Sequence, residues 1–377
     1  MKVLVVSDAQ SVHTQRWTSA LKEKGVDVVL YTIKPVTDHF YSSRNIKCHF
    51  FDLFDFKREK KGKLYAVKRH LMAVSHLKQV LKEEKPDILH SHFVTSYSLI
   101  AALAGYRPFI VSAWGSDIYI YPQKSPVNKA IVKFILSCAD KILSTSNVMA
   151  RECTKYTRKP IEVTPFGVDT GLFKRKESEN EMDSGKIIET NQLESHKFVI
   201  GSVKTLAENY GTEYLIRAFK IVAQRNPQID CNLELVGKGP DEERLKGLAK
   251  ELGISDKVHF RGFINQKDLP GVFSGFDIAC YLSNSESFGV SAIEAMSCNC
   301  PVVASDADGF TEVIENGVTG IIVPKRDPQS TADAIQKFID NPELLKAMGE
   351  AGRERVCSMY QWEGNVNTMI SIYKSVL

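Results

Sequence analysis

At 377 residues, 43% hydrophobic and 25% charged, the chain is too long for one ordinary core and suits two domains of a globular protein. Its longest apolar runs, from Pro108 and from Asp277, are strand-length, short of the roughly 18 residues that span a bilayer, and the apolar stretch at the N-terminus, MKVLVVSD, runs straight into Asp8, unlike a secretory leader. The net charge of +4 hides an asymmetry, because residues 1–170 carry 26 Lys+Arg against 15 Asp+Glu and residues 171–377 carry 23 against 30. Residues 2–8 read as a buried strand, followed by a helix through Trp17 and Leu21 that stops at Gly25. Strands follow at 26–32 and near Asn45, and a long helix runs from about Leu64 to Glu84, ending before Pro86.

Much of the basic excess lies in residues 57–70, KREKKGKLYAVKRH, and Leu64, Val67, Leu71 and Val74 recur beside it at helical spacing. Two readings stay open. The stripe packs on a sheet and the lysines are solvated, or the patch meets an anionic surface such as a membrane leaflet or a pyrophosphate-bearing acceptor. No aromatic interleaving or nucleic-acid motif accompanies it, so nucleic acid is set aside. The segments PDILHSH, PFIVSAWGSD and DKILSTS continue the alternation of apolar strand and helix. That alternation implies an α/β fold with a parallel, doubly wound sheet covered on both faces. Residues 174–196 are polar, charged and poor in aromatics, as a linker or a mobile insertion is. The alternation restarts at KFVIGSVKT and closes with helices around 328–356 and a last one over 362–376. The expected organisation is therefore a first domain over 1–173, a linker over 174–196, a second domain over 197–359, and a final helix over 360–377 that crosses back. The eight cysteines lack CxxC spacing; Cys298 and Cys300 alone do not make a metal knuckle, and all read as reduced thiols of a cytosolic protein.

The chemistry concentrates in residues 284–324. A strand ends near Leu282, a short loop holds Glu286, and a helix starts near Gly289. Ligands of open α/β sheets bind outside the carboxyl ends of strands, and a helix start there offers free N–H groups and positive dipole to a pyrophosphate. Gly289 lets the backbone approach a ligand without a Cβ in the way. Glu294 lies roughly 7.5 Å along that helix, in an otherwise apolar, small-residue context (VSAIEAMS) that suits an idle charge poorly. A carboxylate there matches the hydroxyl pair of a ribose whose phosphate sits at the helix tip.

ESFGVSAIEAM, CPVVAS and GFTEVIENGVTGIIVP together resemble the donor site of the retaining family-4, group 1 glycosyltransferases of the GT-B fold, with Glu286 and Glu294 as their Glu-x7-Glu element. The likeness extends through PFGVDTGLF, PDILHSH and the stretch from Val236 to Ile264. It implies two Rossmann-like domains facing a central cleft, the second binding a nucleotide sugar. It also implies that Glu294 holds the ribose, that Glu286 contacts the transferred sugar, and that Phe288, Gly289 and Val290 donate backbone N–H groups. Gly262 and Phe263 are implied near the nucleobase, and Lys204 near the diphosphate where the family usually has Arg. Three positions depart from the family pattern. Tyr210 precedes Gly211 where a Lys is common, leaving Lys238 and Arg261 as substitutes; Trp114 stands where many members have His; and SDAQSVHTQRW replaces the Gly-Gly turn, putting His13 and Arg16 into the cleft.

Asp117 follows Gly115 at a strand end and is expected in the cleft with a catalytic role, as are Glu286, Lys204 and His13. His90 and His92 leave a strand on one face, as cleft lining or as hydrogen-bonded termini; a metal reading lacks a third ligand of suitable spacing. The resemblance implies a metal-independent enzyme without cofactor, its donor a nucleotide sugar and its acceptor a saccharide or a lipid-linked one. UDP as the donor nucleotide and a cytoplasmic setting, peripheral on the membrane's inner face, complete the expectation. A UDP-sugar epimerase, a phosphorylase, and a catalytically silent nucleotide-sugar-binding subunit are the rivals. A nicotinamide dehydrogenase is disfavoured, since neither half has GxGxxG after its first strand.

Overall fold

The computed structural model describes residues 1–37, 39–53, 63–175 and 197–377, without the side chains of 63, 64 and 66. The chain divides into two units, Met1–Phe166 with Glu363–Leu377, and Gly167–Trp362.

The first unit begins β1 (Lys2–Val6), α1 (Val12–Glu23), β2 (Asp27–Thr32), β3 (Lys47–Phe50), α2 (Lys63–Glu84), β4 (Ile88–His92) and α3 (Ser96–Ala104). It continues through β5 (Phe109–Ala113), α4 (Ser116–Tyr119), α5 (Pro126–Cys138), β6 (Lys141–Ser144), α6 (Asn147–Cys153) and β7 (Ile161–Val163). The seven strands run parallel in the order β3-β2-β1-β4-β5-β6-β7. Val5 pairs Leu30 on one side and His90 on the other. Val3 to Val6 are fully buried, because helices cover both faces of the sheet and leave no place for a polar alternation. Helix starts are written locally: Ser125 caps α5 by accepting the Asn128 N–H at 3.1 Å, with Pro126 at the first position.

The second unit contains β8 (Phe198–Val203), α7 (Thr212–Arg225), β9 (Cys231–Val236), α8 (Glu242–Glu251), β10 (Val258–Gly262), α9 (Leu269–Ser274) and β11 (Ile278–Tyr281). It is completed by α10 (Val290–Ser297), β12 (Val302–Ser305), α11 (Asp308–Val313), β13 (Gly320–Val323), α12 (Pro328–Asp340) and α13 (Glu343–Met359). Its six strands are parallel in the order β10-β9-β8-β11-β12-β13. Both sheets thus reverse strand order beside their first strand, at β1/β4 and at β8/β11. Both units are doubly wound, Rossmann-like domains, as the alternation implies.

The last helix, α14 (Trp362–Ser375), belongs to the first unit from Glu363 onward. Tyr373 is fully buried there, and Asn365 donates to the Pro165 carbonyl at 3.2 Å. The division before this crossover falls after Phe166, earlier than position 173. The reason is bonding to distant residues: Val168 N–H donates to Tyr360 O and Trp362 N–H to Val168 O, while the Phe173 carbonyl accepts from Ser297 Oγ at 2.6 Å and from Arg353 at 3.1 Å. The linker expected over 174–196 lies outside the described residues from 176 onward.

On α2 the sheet-facing row is Ala73, Leu77 and Val80, all buried. Val67 and Leu71 lie on a row about a quarter turn or more around the helix and are 57% and 59% exposed. Of the expected stripe only Val74 is buried, and Leu64 lies outside the described side chains. Lys57, Lys60 and Lys61 of the basic run also lie outside the described residues. All eight cysteines are free.

Candidate active site

In the second unit the chemistry gathers where β8 and β11 part. Lys204 is the first residue beyond β8, and the loop beyond β11 carries Glu286. Their side chains meet, Lys204 Nζ to Glu286 Oε2 at 2.6 Å, both largely withdrawn from water. The ammonium also lies 4.8 Å from the centroid of the Tyr210 ring. Tyr210 is placed by Gly211, whose φ of +66° suits glycine and whose missing Cβ would sit 1.9 Å from the Leu282 carbonyl oxygen. The two loops are sewn together by asparagines. Asn284 N–H donates to Asn209 O at 2.8 Å, and the Asn209 amide donates to Ser285 O at 3.2 Å. Asn284 Oδ1 accepts from Arg326 Nε at 2.9 Å.

Helix α10 starts from Gly289, whose φ is +101° and whose Cβ would press on the Phe310 ring at 2.9 Å. Close packing against α11 therefore requires glycine here as much as ligand approach does. The Phe288 side chain is buried edge-on to Tyr360, so only its backbone faces the site. Val290 opens the helix, and the Tyr281 hydroxyl donates to Ser291 O at 2.9 Å. Glu294 is 5% exposed, and the Gln266 amide donates to its Oε1 at 3.2 Å. At the end of β10, Gly262 has a φ of +69° and sits beside the Lys238 side chain, while the Phe263 ring is 70% exposed. Arg261 turns to Glu234 of the neighbouring strand at 3.7 Å, so its charge is directed at a carboxylate of the sheet.

In the first unit, the residues expected in the cleft gather at the carboxyl edge of the sheet. His13 on α1 stacks on Phe166 with ring centroids 4.0 Å apart, and Trp114 stands edge-on to both. His92 lies 4.4 Å from Trp114, and its buried Nδ1 has no hydrogen-bond partner. His90 spends both nitrogens internally, Nδ1 on the Tyr373 hydroxyl at 2.7 Å and Nε2 on Ser112 Oγ at 2.8 Å. That use removes it as a metal ligand, and among the described residues no three His, Cys, Asp or Glu side chains converge on a metal-sized site. Burial holds the imidazoles neutral: His13 is lowered to about 4, with nearby Arg16 adding to the effect, His90 to about 3, and His92 well below its ordinary value.

Asp117 is fully buried and accepts the N–H groups of Val94 at 2.7 Å, Gly115 at 2.7 Å and Trp114 at 3.2 Å. Burial raises its carboxyl pKa and these bonds oppose the rise. It fastens the β4–α3 turn to the β5–α4 turn, which makes it a positioning residue for His92 and Trp114. Sequence reasoning missed Gln266, Asn209, Asn284, Phe166 and Tyr373. Each acts through a partner at least 28 positions away, a pairing that no local periodicity marks, although Phe166 lies in PFGVDTGLF and Asn284 opens the 284–324 segment.

The profile of the family described as Glycosyl transferases group 1 matches residues 183–355, and that of Glycosyl transferase 4-like matches residues 2–146. The chain belongs to the family-4, group 1 glycosyltransferases. Among relatives of these glycosyltransferases, the N-acetyl-alpha-D-glucosaminyl L-malate synthase of Bacillus anthracis is 29% identical over 316 residues, spanning 81% of this chain and 79% of that one. Among solved structures, the sucrose-phosphate synthase of Thermosynechococcus elongatus matches with a TM-score of 0.82 at 20% identity, over 99% and 98% of the two chains. Anabaena HepE, solved with UDP and glucose, matches with a TM-score of 0.79 at 21% identity over the whole of both chains. At those identities the structural likeness carries the GT-B fold of the family and no more.

Proposed function

We propose that this glycosyltransferase transfers a hexose or N-acetylhexosamine from a UDP-sugar to a saccharide or lipid-linked acceptor, with retention and without a metal, in cell-surface polysaccharide or glycan biosynthesis. The observation that carries this reading is the Lys204–Glu286 pair at the strand-order reversal of the second sheet, beside the start of α10. An ammonium and free helix N–H groups there suit a diphosphate; a carboxylate beside them suits sugar hydroxyls. Glu294, held by Gln266, suits the ribose, and the exposed Phe263 ring suits a stacked base. That HepE was solved with UDP and glucose supports a UDP donor for this fold.

In the proposed step the bond from the anomeric carbon to the diphosphate oxygen breaks as the acceptor oxygen bonds to the same face. The acceptor proton passes to the departing diphosphate. Lys204 and the α10 N–H groups stabilise the charge that develops on the leaving group, a role that makes a metal unnecessary. The part-exposed, neutral imidazole of His13 suits an uncharged acceptor hydroxyl. Among the described residues no helix is long and apolar enough to cross a membrane. The exposed Val67 and Leu71 beside Lys68 suit peripheral contact with an anionic leaflet, in a cytoplasmic enzyme.

A thermal-shift panel of UDP-, GDP- and ADP-sugars tests the donor, since a ligand at 100 times its dissociation constant stabilises by about 2.7 kcal/mol. The product's anomeric configuration, read by NMR in the presence of a chelator, tests retention and metal independence. Stabilisation by GDP-sugars alone, or inversion, refutes the corresponding part.

A further inference from the structure

We propose that Glu286 is the resident counter-anion of Lys204 in the donor-free enzyme, and that a nucleotide diphosphate binds by taking its place. The inference rests on the donor-site reading above and deepens it. Withdrawn from water, the 2.6 Å pair attracts more strongly than a surface ion pair does. Neither member is loosely held. The Tyr210 ring backs the ammonium at 4.8 Å. Glu286 Oε1 accepts the Ser287 N–H at 3.1 Å, and the Glu286 carbonyl accepts the Gly309 N–H at 3.0 Å.

Among the described residues few other cations serve this edge, Lys238 beside Gly262 being one. Arg261 is turned to Glu234, Lys325 lies 3.9 Å from Asp306, and Arg326 donates to Asn284. An arriving diphosphate therefore meets a lysine already neutralised, with a carboxylate where its own oxygen must go. Like charges at contact in a desolvated place repel, so the carboxylate has to leave the ammonium. A sugar nucleotide brings hydroxyl donors that the displaced carboxylate accepts. A free nucleotide diphosphate lacks the sugar's hydroxyls, its ribose hydroxyls being taken by Glu294, and leaves the carboxylate beside a like charge. Glu286 thus favours the loaded donor over the spent one, and expels the spent nucleotide once the sugar has been transferred.

Calorimetry on the full chain and on Glu286→Gln, with UDP, GDP, UMP and inorganic pyrophosphate, tests this. The variant should bind diphosphates roughly tenfold more tightly, a gain typical of coupled sites, with little change for UMP. Its turnover should fall, and UDP should inhibit it more strongly as a product. Adding Lys204→Gln should abolish the gain, which separates a freed ammonium from a general change of charge. Equal or weaker diphosphate binding by a variant that melts like the parent overturns the proposal, as does a gain that survives Lys204→Gln. Should Glu286→Gln melt early, Glu286→Ala replaces it with the same expected sign. If the parent binds UDP and the variants bind it no better, only the counter-anion idea fails. If neither parent nor variants bind a nucleotide or pyrophosphate, the donor reading fails with it.

Discussion

Lys204 and Glu286 face each other beyond β8 and β11, the place in the second sheet that corresponds to His13 beyond β1 and His92 at the end of β4 in the first. The strand order around both places is the same, yet one holds a desolvated ion pair and the other neutral imidazoles against Trp114 and Phe166. Topology decides where a crevice forms, and a handful of loop residues decides which chemistry it serves. A charged edge suits a leaving diphosphate. A neutral, aromatic one suits a sugar face and an attacking hydroxyl.

The largest effect should follow from discharging the charged edge. Lys204→Ala should lower transfer by about a hundred- to a thousandfold, the usual cost of losing one preorganised charge-stabilising group. It should weaken UDP more than UMP, because its charge serves the diphosphate. Equal losses for both nucleotides, measured by calorimetry, would place Lys204 outside the diphosphate site and erase the contrast between the two edges.

Acid should act on the other edge. The folded-state pKa values of His13, about 4, and His90, about 3, lie below the ordinary 6.5. Between pH 6.5 and about 4 the unfolded chain therefore holds protons that the folded chain lacks, and stability falls as pH falls. These two residues alone should remove about 3 kcal/mol between pH 6.5 and 5, with little dependence from them above 7. Amide exchange at pH 5 should quicken in β1, β4 and α14 ahead of β8 and β11, and His90→Gln should flatten the slope. Equal quickening in both sheets would show that the first edge is not the acid-sensitive one.

Glu294→Ala should weaken UDP by roughly ten- to a hundredfold or more, the range for one lost charge-assisted hydrogen bond, while the protein stays folded. Gln266→Ala should have a smaller effect in the same direction, because that amide only orients the carboxylate. Unchanged UDP affinity in Glu294→Ala would remove the ribose role.

Most of the architecture was readable along the chain because buried parallel strands are near-continuous apolar runs and their helices carry local signals, stops at Gly25 and Pro86 and a start at Gly289. The Lys204–Glu286 contact was half readable. Each residue was flagged separately, but their pairing spans 82 positions and was invisible until β8 lay beside β11. The assignment of 167–173 to the second unit depends on bonds to Ser297, Arg353 and Tyr360, and the roles of Tyr373 and Gln266 on equally remote partners. Arg261 was expected at the diphosphate from its charge, and the strand pairing of β9 with β10 brings it to Glu234. Helical spacing grouped Val67, Leu71 and Val74 correctly as neighbours, but could not say which row of α2 meets the sheet.

That exposed row bears the smallest predicted effect and the sharpest contrast with the second unit, whose sequence is net acidic. Val67 and Leu71 stand in solvent beside Lys68, on a unit with 26 Lys+Arg against 15 Asp+Glu over residues 1–170. Arg69 is engaged elsewhere, donating to Leu53 O and lying over the Phe51 ring, so Lys68 is the side chain to change. An anionic leaflet should attract the patch by about 1 kcal/mol per Lys or Arg near its surface, fading as salt shortens the Debye length. Co-sedimentation with phosphatidylserine vesicles should show binding at low salt and loss at high salt. Lys60, Lys61 and Lys63 changed to Glu should weaken it most and Lys68→Glu less. Val67→Ser with Leu71→Ser should weaken it without shifting the melting temperature, because both side chains already face water. Binding that ignores salt and all of these substitutions, or is absent, would make the basic excess a solvated surface and point to a soluble acceptor.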